Sequence, residues 1–258
     1  MDVRKDAPEL AGALALTWEA GQGRTLADLT ASLDAVCDRA EDAADGATVI
    51  TLWLGATAPD ARSWPEETTI RQVNRWERAV RRLERLTAVS IGVASGTCGG
   101  PALDLLPATD YRIATADLRL LLPVHTSRLW PGMAVHRLVN QLGVARARQL
   151  LMWGSELTAE RGLRLGLIDE IAPDATEAVR AAVLLLGRAA GPDLAVLRQL
   201  MLEAPVTSYD EALGVHLAAC ERELRRRRTP DPAGEAAPDT PDTADAAGAY
   251  GEDRRGPA

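Results

Sequence analysis

Phenylalanine is absent from the chain, Lys5 is its only lysine, and it has three cysteines and three histidines. Each scarcity closes off a class of protein. Cys37, Cys98 and Cys220 are scattered, without the paired spacing of a metal site or the even number a disulfide framework needs. Reduced thiols fit a reducing compartment. No apolar run approaches the ~18 residues of a membrane span, and the N-terminus lacks the pattern of a secretory signal. The expected location is therefore the cytoplasm, with no membrane partner. Arginine supplies nearly all the basic charge, yet the net charge is −8, which argues against a nucleic-acid partner while leaving local basic patches open.

What is present is an ordinary globular composition, 47% hydrophobic and 26% charged. A length of 258 residues allows one large domain or two small ones around a substantial core. Ala13 to Trp18 is a short apolar run that reads as a strand ending near Gly21-Gln22-Gly23. Thr25 caps a helix whose apolar positions Leu26, Leu29, Leu33, Val36 and Cys37 recur at helical spacing. Thr48 to Leu54 is nearly continuously apolar, as a strand buried on both faces must be. After a loop punctuated by Pro59 and Pro65, a helix is expected over about Thr68 to Leu86. Val73, Trp76, Val80 and Leu83 form its apolar face, with Arg71, Arg75, Arg78, Arg82 and Arg85 around the rest. That arginine stripe reads either as a phosphate-steering surface or as a solvated or subunit-contact face with local pairs such as Glu77–Arg81.

The centre of the chain is Ser90 to Ala114, SIGVASGTCGGPALDLLPATDYRIA. A small apolar strand runs into Gly96, Gly99 and Gly100, and Ala102 to Leu106 opens a helix. Glycines between strand and helix let backbone approach a ligand closely and aim free N–H groups at negative charge. Asp104 lies one turn into that helix, where it is a candidate acid/base group or, alternatively, a cap or salt-bridge partner. Beyond it, Leu118 to Val124 reads as a strand, His125 to Gly132 as a loop, and Met133 to Leu142, Leu157 to Leu165 and Thr176 to Ala190 as helices. A last helix is expected from Ser208 to about Arg228. From Thr229 the composition falls to Pro, Ala, Asp, Glu, Gly and Thr, which predicts a disordered tail. Deleting residues 229–258 is expected to leave the thermal midpoint and the assembly state unchanged, as a melt and light scattering would check; a clear loss of either would show that the tail packs.

The pattern VxxGxxGGxxxDLxxxxDxxIA from Val93 to Ala114 resembles the core of the crotonase (enoyl-CoA hydratase/isomerase) superfamily. The resemblance continues through Trp130-Pro131-Gly132, Arg137-Leu138, Gly143, Leu150-Leu151, Gly154, Thr158-Ala159 and Gly166-Leu167-Ile168-Asp169-Glu170-Ile171. It covers roughly residues 10 to 228 and implies an α/β fold, the crotonase (ClpP-like) ββα spiral with a C-terminal helical region. On this reading residues 1–10 are a flexible N-terminus, 11–172 the spiral core and 173–228 a trimerisation region, before the tail 229–258. The resemblance also implies a coenzyme A thioester substrate, no cofactor or metal, and a homotrimer or hexamer.

In such proteins two backbone N–H groups hold the oxyanion of an enolate. By alignment Ala61 falls near the first donor, although the loop ATAPDARSW has lost the family motif. The family's glycine triplet lies on Gly100, Pro101 and Ala102, so Pro101, which has no N–H, takes the usual second donor's place. Either Gly100 or Ala102 replaces it, the turn shifts, or the hole is defective; the run Gly99-Gly100-Pro101 favours Gly100. Asp104 takes the position of the family's first catalytic glutamate, and Val124 that of the second. A two-carboxylate hydration is thereby unsupported. His125, next to the lost acid, is a candidate replacement or a structural loop residue. Cys98 reads as packing.

The phrases VNRWERAVRRLERL and LWPGMAVHRLVNQLGVAR look like the DpgB type, the crotonase-like proteins of bacterial 3,5-dihydroxyphenylglycine biosynthesis. That likeness implies a polyketide-CoA substrate, a type III polyketide synthase and a second crotonase homologue as partners, and a role in antibiotic biosynthesis. It leaves three roles open: a lyase acting through an enolate, an accessory protein without chemistry of its own, or a generic enoyl-CoA hydratase/isomerase, which Val124 in place of the second acid disfavours.

Overall fold

The structure, a computed structural model, describes residues 14–19, 24–43, 48–55, 68–121, 124–125, 128–129, 132–152 and 156–228. Ala61, residues 1–10 and residues 229–258 lie outside these ranges. The chain divides into two units, residues 1–216 and residues 217–258; of the second, the described part is the end of the last helix. The sheets and the glycine turn belong to the first unit.

Threonines set the starts of its first two helices. Thr25 Oγ1 accepts the Asp28 N–H and the Asp28 carboxylate accepts the Thr25 N–H, a reciprocal capping box that opens α1 (Leu26–Asp42). Thr69 and Gln72 make the same arrangement at α2 (Ile70–Leu83), so this helix starts later and ends earlier than its apolar spacing predicts. The two helices pack side by side, and Arg82 of α2 reaches Glu41 and Asp38 of α1 at 2.6 Å each. The arginine stripe is thus partly spent within the fold. Arg81 pairs with Glu84 rather than with Glu77.

Strands β1 (Leu14–Glu19), β2 (Thr48–Trp53), β3 (Val89–Ala94), β5 (Tyr111–Ala114) and β10 (Glu170–Ile171) form one parallel sheet in that order. Between β3 and β5 the chain leaves to lay down β4 (Thr97–Cys98), and after β5 it leaves again for β6 (Arg119–Leu120). These two pair in parallel, and β9 (Leu157–Thr158) adds to β6 antiparallel, making a second, smaller sheet. Successive excursions between two sheets, closed by helices, are the expected ββα spiral. Of the strand expected over Leu118 to Val124, Arg119 and Leu120 form β6, and residues 122–123 lie outside the described residues. Strands β7 (Val124–His125) and β8 (Arg128–Leu129) pair antiparallel, so that His125, Arg128 and Leu129 of the expected loop are in strands.

Period-two alternation puts the larger sheet between two cores. Ile50, Leu52 and Leu54 face the side packed by Leu33, Trp76, Leu83, Leu103 and Leu105. Val49, Val89, Ile91, Val93 and Ile113 face the other, against Ala178, Ala182 and Val183 of α6 (Ala175–Leu186). Between β6 and β10 run α4 (Ala134–Met152), which bends at Gly143, and α5 (Ala159–Leu165). After α6 come α7 (Pro192–Glu203), a helix the apolar pattern does not announce, and α8 (Tyr209–Arg228).

A buried arginine clips α7 to the sheet. Arg198 donates to both Asp110 oxygens at 2.7 and 2.6 Å and to the carbonyls of Leu86 and Ala88. Asp110 in turn accepts the Ser90 N–H and hydroxyl at 2.8 and 2.9 Å. These residues lie where β3 and β5 begin, which leaves the carboxyl ends of the strands for a site, as parallel sheets generally arrange it.

Candidate active site

At the carboxyl end of β3 the chain turns through Gly96 and Gly100, both with positive φ (57° and 54°), a conformation in which a side chain would be strained. Cys98 fastens the turn from beneath, donating its thiol to the Leu54 carbonyl at 2.6 Å and to the Ser95 carbonyl at 3.3 Å. Burial pushes that thiol up to about 11, so Cys98 packs and is not nucleophilic. Cys37, buried among α1 and α2, is pushed higher still, to about 12, again by burial.

Gly100 is the N-cap of the short helix α3 (Pro101–Leu105), with Pro101 in its first turn. Ala102 sends its N–H back to the Gly99 carbonyl at 3.2 Å, and Leu103 its own to Gly100 at 3.0 Å. Of the two donors left open by Pro101, Ala102 is therefore spent within the turn. Among the described residues no backbone carbonyl accepts the Gly100 N–H.

Asp104 is 2% exposed, and both its oxygens are engaged. The Trp76 indole N–H donates to Oδ2 at 3.1 Å, and the Ala134 N–H at the start of α4 donates to Oδ1 at 3.0 Å. Arg137, one turn further along α4, places Nη1 3.9 Å from Oδ1. The same guanidinium reaches Glu77 at 3.2 Å and Glu84 at 2.7 Å. Three helices thus converge on one buried carboxyl. Desolvation raises its pKa and the nearby Glu77 charge adds to this; the Trp76, Arg137 and Ala134 contacts oppose them, leaving it at about 7. Burial alone would lower the pKa of Arg137, but Glu84, Glu77 and Asp104 outweigh it and hold the guanidinium charged.

A carboxyl raised in the folded state binds a proton that the unfolded chain has already released. Its contribution to stability is therefore full below about pH 4 and is lost as pH rises to about 7, at up to ~1.4 kcal/mol per pH unit. Urea unfolding between pH 4 and 8 is expected to show this downward slope in the wild type and not in Asp104→Asn. Parallel curves for the two proteins would contradict the raised carboxyl.

Of the five expected site residues, Gly99, Gly100 and Asp104 come together within one turn of α3. His125 has its backbone in β7, paired with Arg128 of β8, and its side chain is outside the described set, as is the whole of Ala61. Sequence reasoning missed Trp76, Glu77 and Arg137 as neighbours of Asp104, and Glu84 as a partner of Arg137. A signal was present: Arg137 breaks an apolar helix face, and Trp76 is the one indole on an arginine-rich helix. A cavity of about 240 Å³ between the end of α2 and α7, lined by Arg81, Glu84, Arg85, Val196 and Gln199 among others, holds none of the expected residues.

Comparison with known proteins agrees with the fold. The family model described as enoyl-CoA hydratase/isomerase matches residues 62–223. A protein of Amycolatopsis orientalis named enoyl-CoA-hydratase is 41% identical over 197 residues, covering 76% of this chain and 89% of that protein. Among solved structures, an enoyl-CoA hydratase/isomerase from Cupriavidus metallidurans CH34 superposes with a TM-score of 0.67 at 20% identity, covering 82% of this chain and 84% of that one. A family protein from Silicibacter pomeroyi gives 0.67 at 18% identity, over 84% and 96% of the two chains. At such identities the structures speak for the fold, while the family match and the Amycolatopsis relative speak for descent. The chain belongs to the enoyl-CoA hydratase/isomerase family.

Proposed function

We propose that the protein is a lyase-type member of this family that moves a proton at the α-carbon of a coenzyme A thioester through an oxyanion-stabilised enolate. The observation that carries this is the buried carboxyl of Asp104, poised at about 7 on the helix that the Gly99–Gly100 turn opens. An acid/base group near neutrality can both take and return a proton at working pH. Gly100 supplies one oxyanion N–H and Ala61 the other, with His125 as a second proton carrier. With valine at 124 the second carboxylate of a simple hydratase is missing, which turns the reading away from adding water to an enoyl thioester.

The finer proposal is a polyketide-CoA thioester as substrate. The protein would then assist a type III polyketide synthase, alongside a second crotonase homologue, in forming 3,5-dihydroxyphenylacetyl-CoA for antibiotic biosynthesis. We place it in the cytoplasm as a homotrimer or hexamer, with residues 11–172 as the spiral and 173–228 as the trimerisation region. Among the described residues no helix is long and apolar enough to cross a membrane.

A second reading, an accessory protein that binds the intermediate or the synthase without chemistry, is favoured by one observation: Pro101 removes the N–H of the family's usual donor. Asp104→Asn separates the two. Added to the synthase, the second homologue and malonyl-CoA, it fails to raise the yield of 3,5-dihydroxyphenylacetate if Asp104 carries the proton, and acts like the wild type if the protein is an accessory.

A further inference from the structure

The cluster behind Asp104 holds more acid than base. Glu77 of α2, Glu84 at the C-cap of that helix and Asp104 of α3 supply three carboxyls. Arg137 of α4 touches all three, and the half-exposed Arg81 adds a second cation through Glu84. Three carboxyls against two guanidiniums leave one negative charge over. Among the described residues no further cation pairs with these acids: α1, on the far side of α2, directs Asp34, Asp38 and Glu41 to Arg82. Glu77 rests its Oε2 on Arg137, while its buried Oε1 has no hydrogen-bond partner among the described residues. A buried, uncompensated charge is costly, and carboxyls that share a site relieve it by retaining a proton.

We propose that Glu77 is the positioning residue for Asp104: held on the same Arg137 nitrogen, its carboxylate couples the two acids so that the pair keeps one proton at neutral pH, on Asp104. Nη1 lies within 4 Å of both carboxyls, at 3.2 Å from Glu77 and 3.9 Å from Asp104. Asp104 is the member that keeps the proton because its side chain is 2% exposed, against 18% for Glu77. Accepting one N–H at each oxygen leaves a lone pair free for that proton. This deepens the function proposed above and rests on Asp104 being the proton-transfer group. In the step itself, Asp104 gives its proton to the enolate carbon, the enolate electron pair becomes the new C–H bond, and Asp104 is left as carboxylate. The reverse step breaks the C–H bond and returns the proton to Asp104, while Glu77 stays on Arg137.

The test is a carboxyl 13C NMR titration of the full chain from pH 4 to 9, with the Asp104 resonance assigned by its loss in Asp104→Asn. In the wild type the Asp104 resonance is expected to titrate at about 7. In Glu77→Gln the Asp104 midpoint is expected to fall by about one pH unit, and the acid side of the pH profile for aromatic product formation should move with it. Glu77→Asp, which keeps the charge, should restore both. An Asp104 midpoint unchanged by Glu77→Gln would overturn the coupling. Failure of the catalytic reading is separately visible, because a fully active Asp104→Asn removes the enzymatic role while the resonances still report whether the pair is coupled.

Discussion

Asp104→Asn is expected to reduce formation of 3,5-dihydroxyphenylacetate in the reconstituted synthase reaction by ~100-fold or more, the usual contribution of a positioned acid/base group. The substitution is not silent for folding. The carboxyl accepts the Trp76 and Ala134 N–H groups on separate oxygens, and an amide has one acceptor oxygen. One buried N–H therefore loses its partner, at about 1–3 kcal/mol. Rates must be compared well below the variant's melting temperature, with circular dichroism as the check on folding. Affinity for an acyl-CoA, read by calorimetry, should change little, so the loss falls on turnover rather than on binding. A folded variant that supports wild-type product formation would sink the catalytic reading and leave the accessory one.

Arg137→Met is expected to destabilise the protein by about 3–5 kcal/mol, because it breaks a buried ion-pair cluster by removing one partner. Glu77 then loses the cation on its Oε2, and Glu84 keeps only the half-exposed Arg81. For a chain of this size that corresponds to a fall in Tm of roughly 10 °C. The comparison is Arg82→Met, which also deletes an arginine with three acidic partners. Its side chain is 30% exposed and its partners are wetter, so water takes over their solvation and the cost is within about 1 kcal/mol. If the two variants melt together, burial is not what gives the Arg137 cluster its weight.

Legibility in the sequence depends on range. Strands and helices carried by local pattern could be read directly, from the continuous apolar run of β2 to the threonine that opens α1. The glycine turn and Asp104 were legible because a backbone conformation leaves residue-type marks next to one another in sequence. The network around Asp104 was not, since Trp76, Glu77, Glu84, Ala134 and Arg137 lie on other helices and nothing local ties them to it. Arginines on α2 look alike in sequence, yet Arg82 turns to α1 while Arg81 pairs along its own helix. Only tertiary packing distinguishes them. Helix α7 escaped notice because its anchoring is polar: Arg198 docks it on Asp110, and apolar periodicity cannot show that.

The Arg198 clip also sets an order of events. Its partners Asp110 and Leu86 lie 88 and 112 residues earlier in the chain. Loop closure over such distances contributes only after β3 and β5 are in register, because Asp110 is oriented by Ser90 at the start of β3. Arg198 is therefore expected to dock late, onto a spiral already in register. Contacts formed after the folding transition state mainly slow unfolding and leave the rate of folding little changed. On that account the clip acts as a latch on the lifetime of the native state, closed once the chain beyond α6 has been synthesised.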